Sequence, residues 1–123
     1  MENQSRRYDL EERLIDFAVI ILDLCELLPQ NFAAKHLGGQ LVRSGTSPAL
    51  NYGEAQAAES KADFLHKMKI CLKELRESQI CLKIISKKKY IKEEKEQPVL
   101  KECSELVAIF TKSIETPAGI GLL

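Results

Sequence analysis

Residues 60–87 constrain the fold of this chain most strongly. Ser60, followed three residues later by Asp63, forms a helix N-cap signature, and no glycine or proline occurs between Ser60 and Lys87. Apolar residues recur there at alternating three- and four-residue spacing, which gathers them on one face of a helix with about 3.6 residues per turn. The pattern predicts one helix over residues 61–87. Its buried stripe comprises Leu65, Met68, Leu72, Leu75, Gln79 and Leu82, widened on one side by Phe64, Cys71, Ser78 and Ile85.

A second face of this helix is basic. Five cationic side chains fall within about 40° of a common direction at about 100° per residue. We call this set the basic stripe: Lys69, Lys73, Arg76, Lys83 and Lys87. Three interpretations stay open, namely solvated lysines, pairing with an acidic surface of another subunit, and contact with nucleic-acid phosphates.

The first predicted helix spans residues 10–28, between an N-cap signature at Asp9 and Glu12 and the helix-breaking Pro29. Its middle turns are apolar on nearly every side, which is typical of a helix buried on more than one side. We therefore expect a homo-oligomer whose interface includes Val19, Ile20 and Leu22. The acidic residues of the helix form a line that can face the basic stripe. We call this line the acidic ridge: Asp9, Glu12, Asp16, Asp23 and Glu26.

The second and fourth helices are predicted over residues 32–59 and 94–115. Asn31 can cap the second helix, and Pro48 predicts a kink because proline cannot donate to the carbonyl of residue 44. Pro98 is tolerated in a first turn, and residues 116–123 form a tail without helical period. Four amphipathic helices with short links predict an all-α, antiparallel up-down-up-down four-helix bundle in one domain, residues 1–123.

Polar residues surround the predicted kink and form a pattern that we call the helix-two motif. The favoured interpretation is structural, because Arg43, Asn51 and Glu54 can satisfy backbone groups freed by Pro48 or bridge to helix three. The alternative is a polar pocket at the bundle surface or at an oligomer pore. The motif comprises Arg43, Ser44, Ser47, Asn51 and Glu54.

Catalytic, metal and cofactor chemistry find no support in the sequence. His36 and His66 lie on different helices, and neither has the Glu-x-x-His spacing of di-iron bundles, so we expect exposed histidines. The cysteines have no C-x-x-C spacing, which predicts reduced, core-type side chains at Cys25, Cys71, Cys81 and Cys103. We expect no enzyme, no cofactor and no metal.

Composition favours a globular cytoplasmic protein without a membrane span. The chain is 45% hydrophobic and 29% charged, and its longest apolar run is far shorter than the ~20 residues that span a bilayer. The N-terminus lacks the pattern of a signal peptide. Net charge is zero, which removes the simplest argument for nucleic-acid binding. Residues 1–59 nevertheless carry 5 basic and 9 acidic side chains, whereas residues 60–123 carry 13 and 9.

A family resemblance rests on residues 40–55, which read Gln-Leu-Val-Arg-Ser-Gly-Thr-Ser-Pro-Ala-Leu-Asn-Tyr-Gly-Glu-Ala, and on residues 73–77, Lys-Glu-Leu-Arg-Glu. At this pattern the chain resembles the four-helix-bundle proteins encoded in intervening sequences of bacterial 23S rRNA genes, often labelled S23 ribosomal proteins. The resemblance implies an antiparallel bundle that assembles into a ring-like homopentamer. The accessory protein of diversity-generating retroelements looks like a relative of this family, one that binds nucleic acid and a reverse transcriptase.

Two functional hypotheses follow. In the first, the protein is a non-enzymatic, homo-oligomeric assembly or interaction module. In the second, it is an accessory protein that binds RNA or DNA through the basic stripe.

Overall fold

The protein forms four helices, which a computed structural model describes for residues 2–115, with side chains from Asp9 onward. Helix α1 covers Glu2–Cys25, α2 Phe32–Gln56, α3 Lys61–Lys88 and α4 Glu93–Glu115. Within this range no residue lies in a strand. The all-α fold predicted from helical periodicity is therefore confirmed, whereas the tail predicted for residues 116–123 lies outside the described residues.

The helices occupy the four corners of a bundle. Helix α1 packs against α2 and α4, and α3 packs against the same two helices. Contacts between α2 and α3 run in reversed order along the chain: Ser44 meets Ser78 whereas Glu54 meets Lys67. Because α1 and α3 share both neighbours, they lie at opposite corners of the bundle. The acidic ridge of α1 and the basic stripe of α3 do not face each other within one chain.

Helix α1 is longer at its start and shorter at its end than the predicted residues 10–28. It begins at Glu2, so that Asp9 lies inside the helix and is not its N-cap. No glycine or proline occurs in residues 2–9 to stop the helix there. At the other end, Leu27 and Leu28 donate to carbonyls three residues back, which tightens the last turn ahead of Pro29.

The other helix ends are close to prediction. Helix α2 ends at Gln56, three residues before the predicted end. The N–H groups of Ala57 and Ala58 donate to carbonyls three residues back, which closes the last turn. Lys89 adopts a left-handed conformation, with φ of 56°, and caps α3. Pro98 lies inside α4 and not in its first turn, and it is exposed, so water can reach the backbone there. Helix α2 continues through Pro48; the kink stays a prediction.

The core lies between the four helices. Phe17, Leu41, Tyr52, Leu106 and Phe110 are fully buried, and the rings of Tyr52 and Phe110 meet edge to face with centroids 6.2 Å apart. Such aromatic pairs contribute about 0.5–1.5 kcal/mol beyond the burial of their surface.

The predicted orientation of α3 is confirmed in part. Met68, Leu75 and Leu82 are buried, while Leu65 and Leu72 are only half-buried. The buried centre is instead rotated toward Cys71, Ser78 and Ile85, which are fully buried. The reason is the close approach of α2 on that side, where the Ser44 hydroxyl contacts Ser78 and the Pro48 carbonyl lies 3.5 Å from Cys71 Sγ.

Candidate functional site

Arg43 of the helix-two motif joins α2 to α3. Its Nη1 donates to Glu74 Oε2 at 2.9 Å, and its Nη2 donates to Glu77 and, at 3.4 Å, to Gln40. The Glu74 side chain is only 10% exposed, so its carboxylate depends on Arg43 for a charged partner. A carboxylate removed from water is stabilised when it accepts a hydrogen bond from a cation.

Two serines continue this contact into the core. The hydroxyls of Ser44 and Ser78 lie 2.8 Å apart, and both residues are fully buried. Ser78 also lies 3.1 Å from the Glu74 carbonyl, to which it donates. Because a hydroxyl has one proton, Ser44 is the donor in the serine pair. The pair requires small side chains on both helices, and so fixes the distance between α2 and α3.

The remaining motif residues also form contacts within the bundle. Asn51 Nδ2 donates to the Ser47 carbonyl at 3.0 Å and to its hydroxyl at 2.8 Å. Lys67 of α3 donates to Glu54 at 2.7 Å. These contacts favour the structural interpretation of the motif, in which its side chains satisfy backbone groups and bridge to α3.

The basic stripe is exposed along its whole length. Among the residues with described side chains, none of its five cations forms an ion pair, and Arg76 forms a single hydrogen bond, 3.4 Å long, with Thr111. Two exposed apolar side chains lie on the same outer face, Ile80 and Ile84. The outer face of α3 thus carries exposed cations without ion-pair partners among the described side chains, with apolar side chains beside them.

Helix α1 presents apolar side chains on its outer face. Val19 is 50% exposed and Leu22 is 43% exposed; their place in an interface stays a prediction. Ile20, the third predicted interface residue, is half-buried and packs against the chain's own core. Ile15 is 42% exposed and lies four residues before Val19 and seven before Leu22, on the same face.

The acidic ridge lies beside these apolar residues. All five of its carboxylate side chains are exposed, and none forms an ion pair with another described side chain. The single α1 cation with a described side chain, Arg13, points toward α4 instead, where it bridges Glu102 at 2.7 Å and Glu105 at 2.8 Å. The ridge is therefore the acidic counterpart of the basic stripe on the opposite corner.

The cysteines behave as core residues. Cys71, Cys81 and Cys103 are buried, and Cys25 is half-buried. Burial raises the pKa of Cys71 and of Cys103 to about 12, and that of Cys25 to about 11. These thiols stay protonated near neutral pH and are weak nucleophiles. His36 and His66 are exposed, as predicted. No group of three or more metal-binding side chains occurs among the described residues.

Glu96 of α4 is a buried carboxyl group that sequence reasoning missed. The residue is 1% exposed, and its Oε1 has no hydrogen-bond partner among the described residues. Burial raises the pKa of Glu96, the Ser86 hydroxyl lowers it, and the Glu93 carboxylate raises it further, so that the net direction is upward. Nothing in the glutamate-rich segment of residues 93–96 marks which of its carboxylates turns inward.

Fold and surfaces together define a class of protein: a helical bundle whose polar motif residues hold two of its helices together, and whose outer corners carry opposite charge. The chain belongs to the 23S rRNA-intervening sequence protein family, whose family model matches residues 6–112. The family suggested by residues 40–55 and 73–77 is thus confirmed.

A solved structure supports this assignment. The chain is similar to a protein of unknown function from the S23 ribosomal protein family of Bacteroides thetaiotaomicron VPI-5482, whose crystal structure was determined at 1.70 Å. The two are 31% identical, with a TM-score of 0.79 over 86% of this chain and 98% of that chain. No curated protein matches the chain. In residues 2–115, no helix has the length and apolar character needed to cross a bilayer.

Proposed function

We propose that this protein is a non-enzymatic, homo-oligomeric assembly or interaction module. The observation that carries the proposal is the line of half-exposed apolar side chains on α1, Ile15, Val19 and Leu22. The pentameric ring implied by the family resemblance is the assembly that we expect. Another protein is then the partner that such a ring would present to its surroundings.

The energetic argument rests on burial. Full burial of a valine, leucine or isoleucine side chain contributes about 1.5–3 kcal/mol. Since Ile15, Val19 and Leu22 are each 42–50% exposed, about half of that contribution is still available from each of them when a second subunit covers α1.

Replacing Val19 and Leu22 by serine in one variant is expected to weaken assembly at least about tenfold, because the apolar area covered by the neighbour is lost. The measurement is the dissociation constant from sedimentation velocity over a protein concentration series. The matched control replaces Phe32 and Leu50, which are 86% and 68% exposed on α2, by serine. An unchanged dissociation constant for the α1 variant would contradict the proposed interface.

One observation favours nucleic-acid binding as an alternative function. The five cations of the basic stripe are exposed and form no ion pair with the other described side chains. A ring would repeat this surface once in every subunit. Against the alternative stand the net charge of zero and the position of Glu77 beside the stripe.

We expect weak or no binding of RNA and single-stranded DNA. A filter-binding titration at low and moderate salt measures this, since each neutralised phosphate adds about −0.7 to −0.9 to the log–log salt slope. A tight, salt-sensitive complex would establish the alternative, provided that Lys73→Glu with Lys83→Glu abolishes it while the assembly stays intact.

A further inference from the structure

We propose that the acidic ridge on α1 of one copy docks on the basic stripe on α3 of a second copy. The inference rests on the proposed self-assembly and specifies its interface. In this arrangement the acidic ridge and the basic stripe each bind a second copy of this chain.

The two surfaces carry similar seven-residue repeats with opposite sign. On α1 the charges follow two lines with seven-residue spacing: Asp9, Asp16 and Asp23 in one, and Glu12, Val19 and Glu26 in the other. On α3 the corresponding lines are Lys69, Arg76 and Lys83, and then Lys73, Ile80 and Lys87. The central place of the second line is therefore apolar on both helices. A seven-residue repeat is the spacing at which paired helices bring flanking charges together.

The charges come into register when the two helices are set parallel, as a ring requires. With Asp9 set opposite Lys69, every other acidic residue of the ridge lies either level with a cation of the stripe or one residue away from it, which is about 1.5 Å along the helix axis. An antiparallel register also exists: with Glu12 set opposite Lys87, the four acidic residues of the ridge from Glu12 onward each lie level with a cation of the stripe. The charges by themselves therefore do not fix the direction of the two helices. The remaining pairs of the parallel register are Glu12 with Lys73, Asp16 with Arg76, Asp23 with Lys83 and Glu26 with Lys87.

The direction in which α1 and α3 meet is set by the bundle. Contacts between neighbouring helices run in reversed order for α1 with α2 and for α2 with α3, so α1 and α3 point the same way. In a ring whose axis follows the bundle axis, every subunit keeps one orientation. The α1 helix of one subunit then meets the α3 helix of the next in the parallel direction, so the ring geometry selects the parallel register.

Apolar contact accompanies the charge pairing. Val19 is 50% exposed and Ile80 is 55% exposed, and they occupy corresponding places in the two heptad patterns. Ile15 and Leu22 on α1 and Ile84 on α3 are exposed beside them. Burial of these side chains supplies affinity, and the surrounding charges supply register and choice of partner.

The two surfaces cannot satisfy each other within one chain, because α1 and α3 lie at opposite corners of the bundle. Docking of unlike surfaces is head-to-tail, so it generates a ring or an open chain of subunits and not a twofold dimer. The opposite-corner placement therefore leads directly to extended or cyclic assembly.

Two charge-reversal variants test the pairing. The ridge variant carries Asp16→Lys and Asp23→Lys, and the stripe variant carries Arg76→Glu and Lys83→Glu. Each alone is expected to raise the dissociation constant at least about tenfold, because like charges then face each other. Mixing the two variants, or combining all four substitutions in one chain, is expected to restore association.

The matched control reverses Lys95 and Lys101, two exposed lysines of α4, and is expected to associate like the wild type. Raising the salt concentration from about 0.05 M to about 0.5 M should also weaken wild-type association, since exposed charges are screened. This second measurement needs no variant to fold.

The outcomes separate this inference from the proposed function. A wild-type protein that is monomeric at micromolar concentration overturns both. A wild type that assembles, with salt-insensitive association and both variants unaffected, overturns the α1–α3 interface and leaves self-assembly standing. If self-association weakens in the stripe variant alone and the wild type binds RNA in a salt-sensitive way, the stripe is assigned to nucleic acid and the inference is overturned.

Discussion

Gly45→Val is expected to lower the free energy of unfolding by about 3 kcal/mol, near the upper end of what overpacking a core costs. A Cβ atom at residue 45 would lie 2.7 Å from Cγ2 of Ile21 and 3.1 Å from its Cβ. The stem of a branched, fully buried side chain cannot swing aside, so α1 would have to move away from α2.

Gly53→Val is the matched control, because Gly53 lies in the same helix and a Cβ there meets nothing within 4 Å. Valine has a slightly higher helix propensity than glycine, so this variant should stay within about 0.5 kcal/mol of the wild type. Both are measured by urea unfolding at one fixed protein concentration, since assembly makes stability concentration-dependent. Equal losses in the two variants would contradict the close contact between α1 and α2.

Arg43→Ala is expected to lower the free energy of unfolding by about 2–3 kcal/mol. The substitution leaves the 10%-exposed Glu74 side chain without its cation, and an unpaired buried charge destabilises more than a lost surface contact. This expected loss of stability is smaller than for a fully buried ion pair, because about half of the Arg43 side chain is exposed to solvent.

Arg13→Ala provides the matched control for Arg43. Arg13 also bridges two glutamates, but these are 25% and 49% exposed, so water can replace the lost contacts. We expect a loss of about 1 kcal/mol or less. Thermal unfolding of both variants measures the difference. A loss for Arg43→Ala no larger than that for Arg13→Ala would show that the buried position of Glu74 does not matter for stability.

The elements of the fold could be predicted from periodicity because four long amphipathic segments alternate with short links. The positions of the helix ends could be predicted less accurately, for a physical reason. Asp9 fits the chemistry of an N-cap, yet the same residue is compatible with a helix interior when no breaker precedes it. The phase of α3 also depends on tertiary packing, since the contact of Ser44 with Ser78 lies on the side toward which the buried centre of the helix is rotated.

The surfaces could be predicted in part. Helical geometry alone places the basic stripe and the acidic ridge on common faces. It does not say on which side a neighbouring helix lies, so the sequence does not show that Ile20 packs against the core while Ile15 is exposed. The partners of Arg43 could not be assigned from the sequence either. Glu74 and Glu77 are the two glutamates of α3, but only the packing of α2 on α3 brings both of them to Arg43.

The mass of the wild-type protein in solution tests self-assembly most directly. Sedimentation equilibrium at micromolar concentration and low salt measures it without any substitution. Assembly through the outer faces of α1 and α3 predicts a multiple of the 13.9 kDa chain mass, fivefold if the ring implied by the family forms. A single species of 13.9 kDa across the concentration range would contradict it.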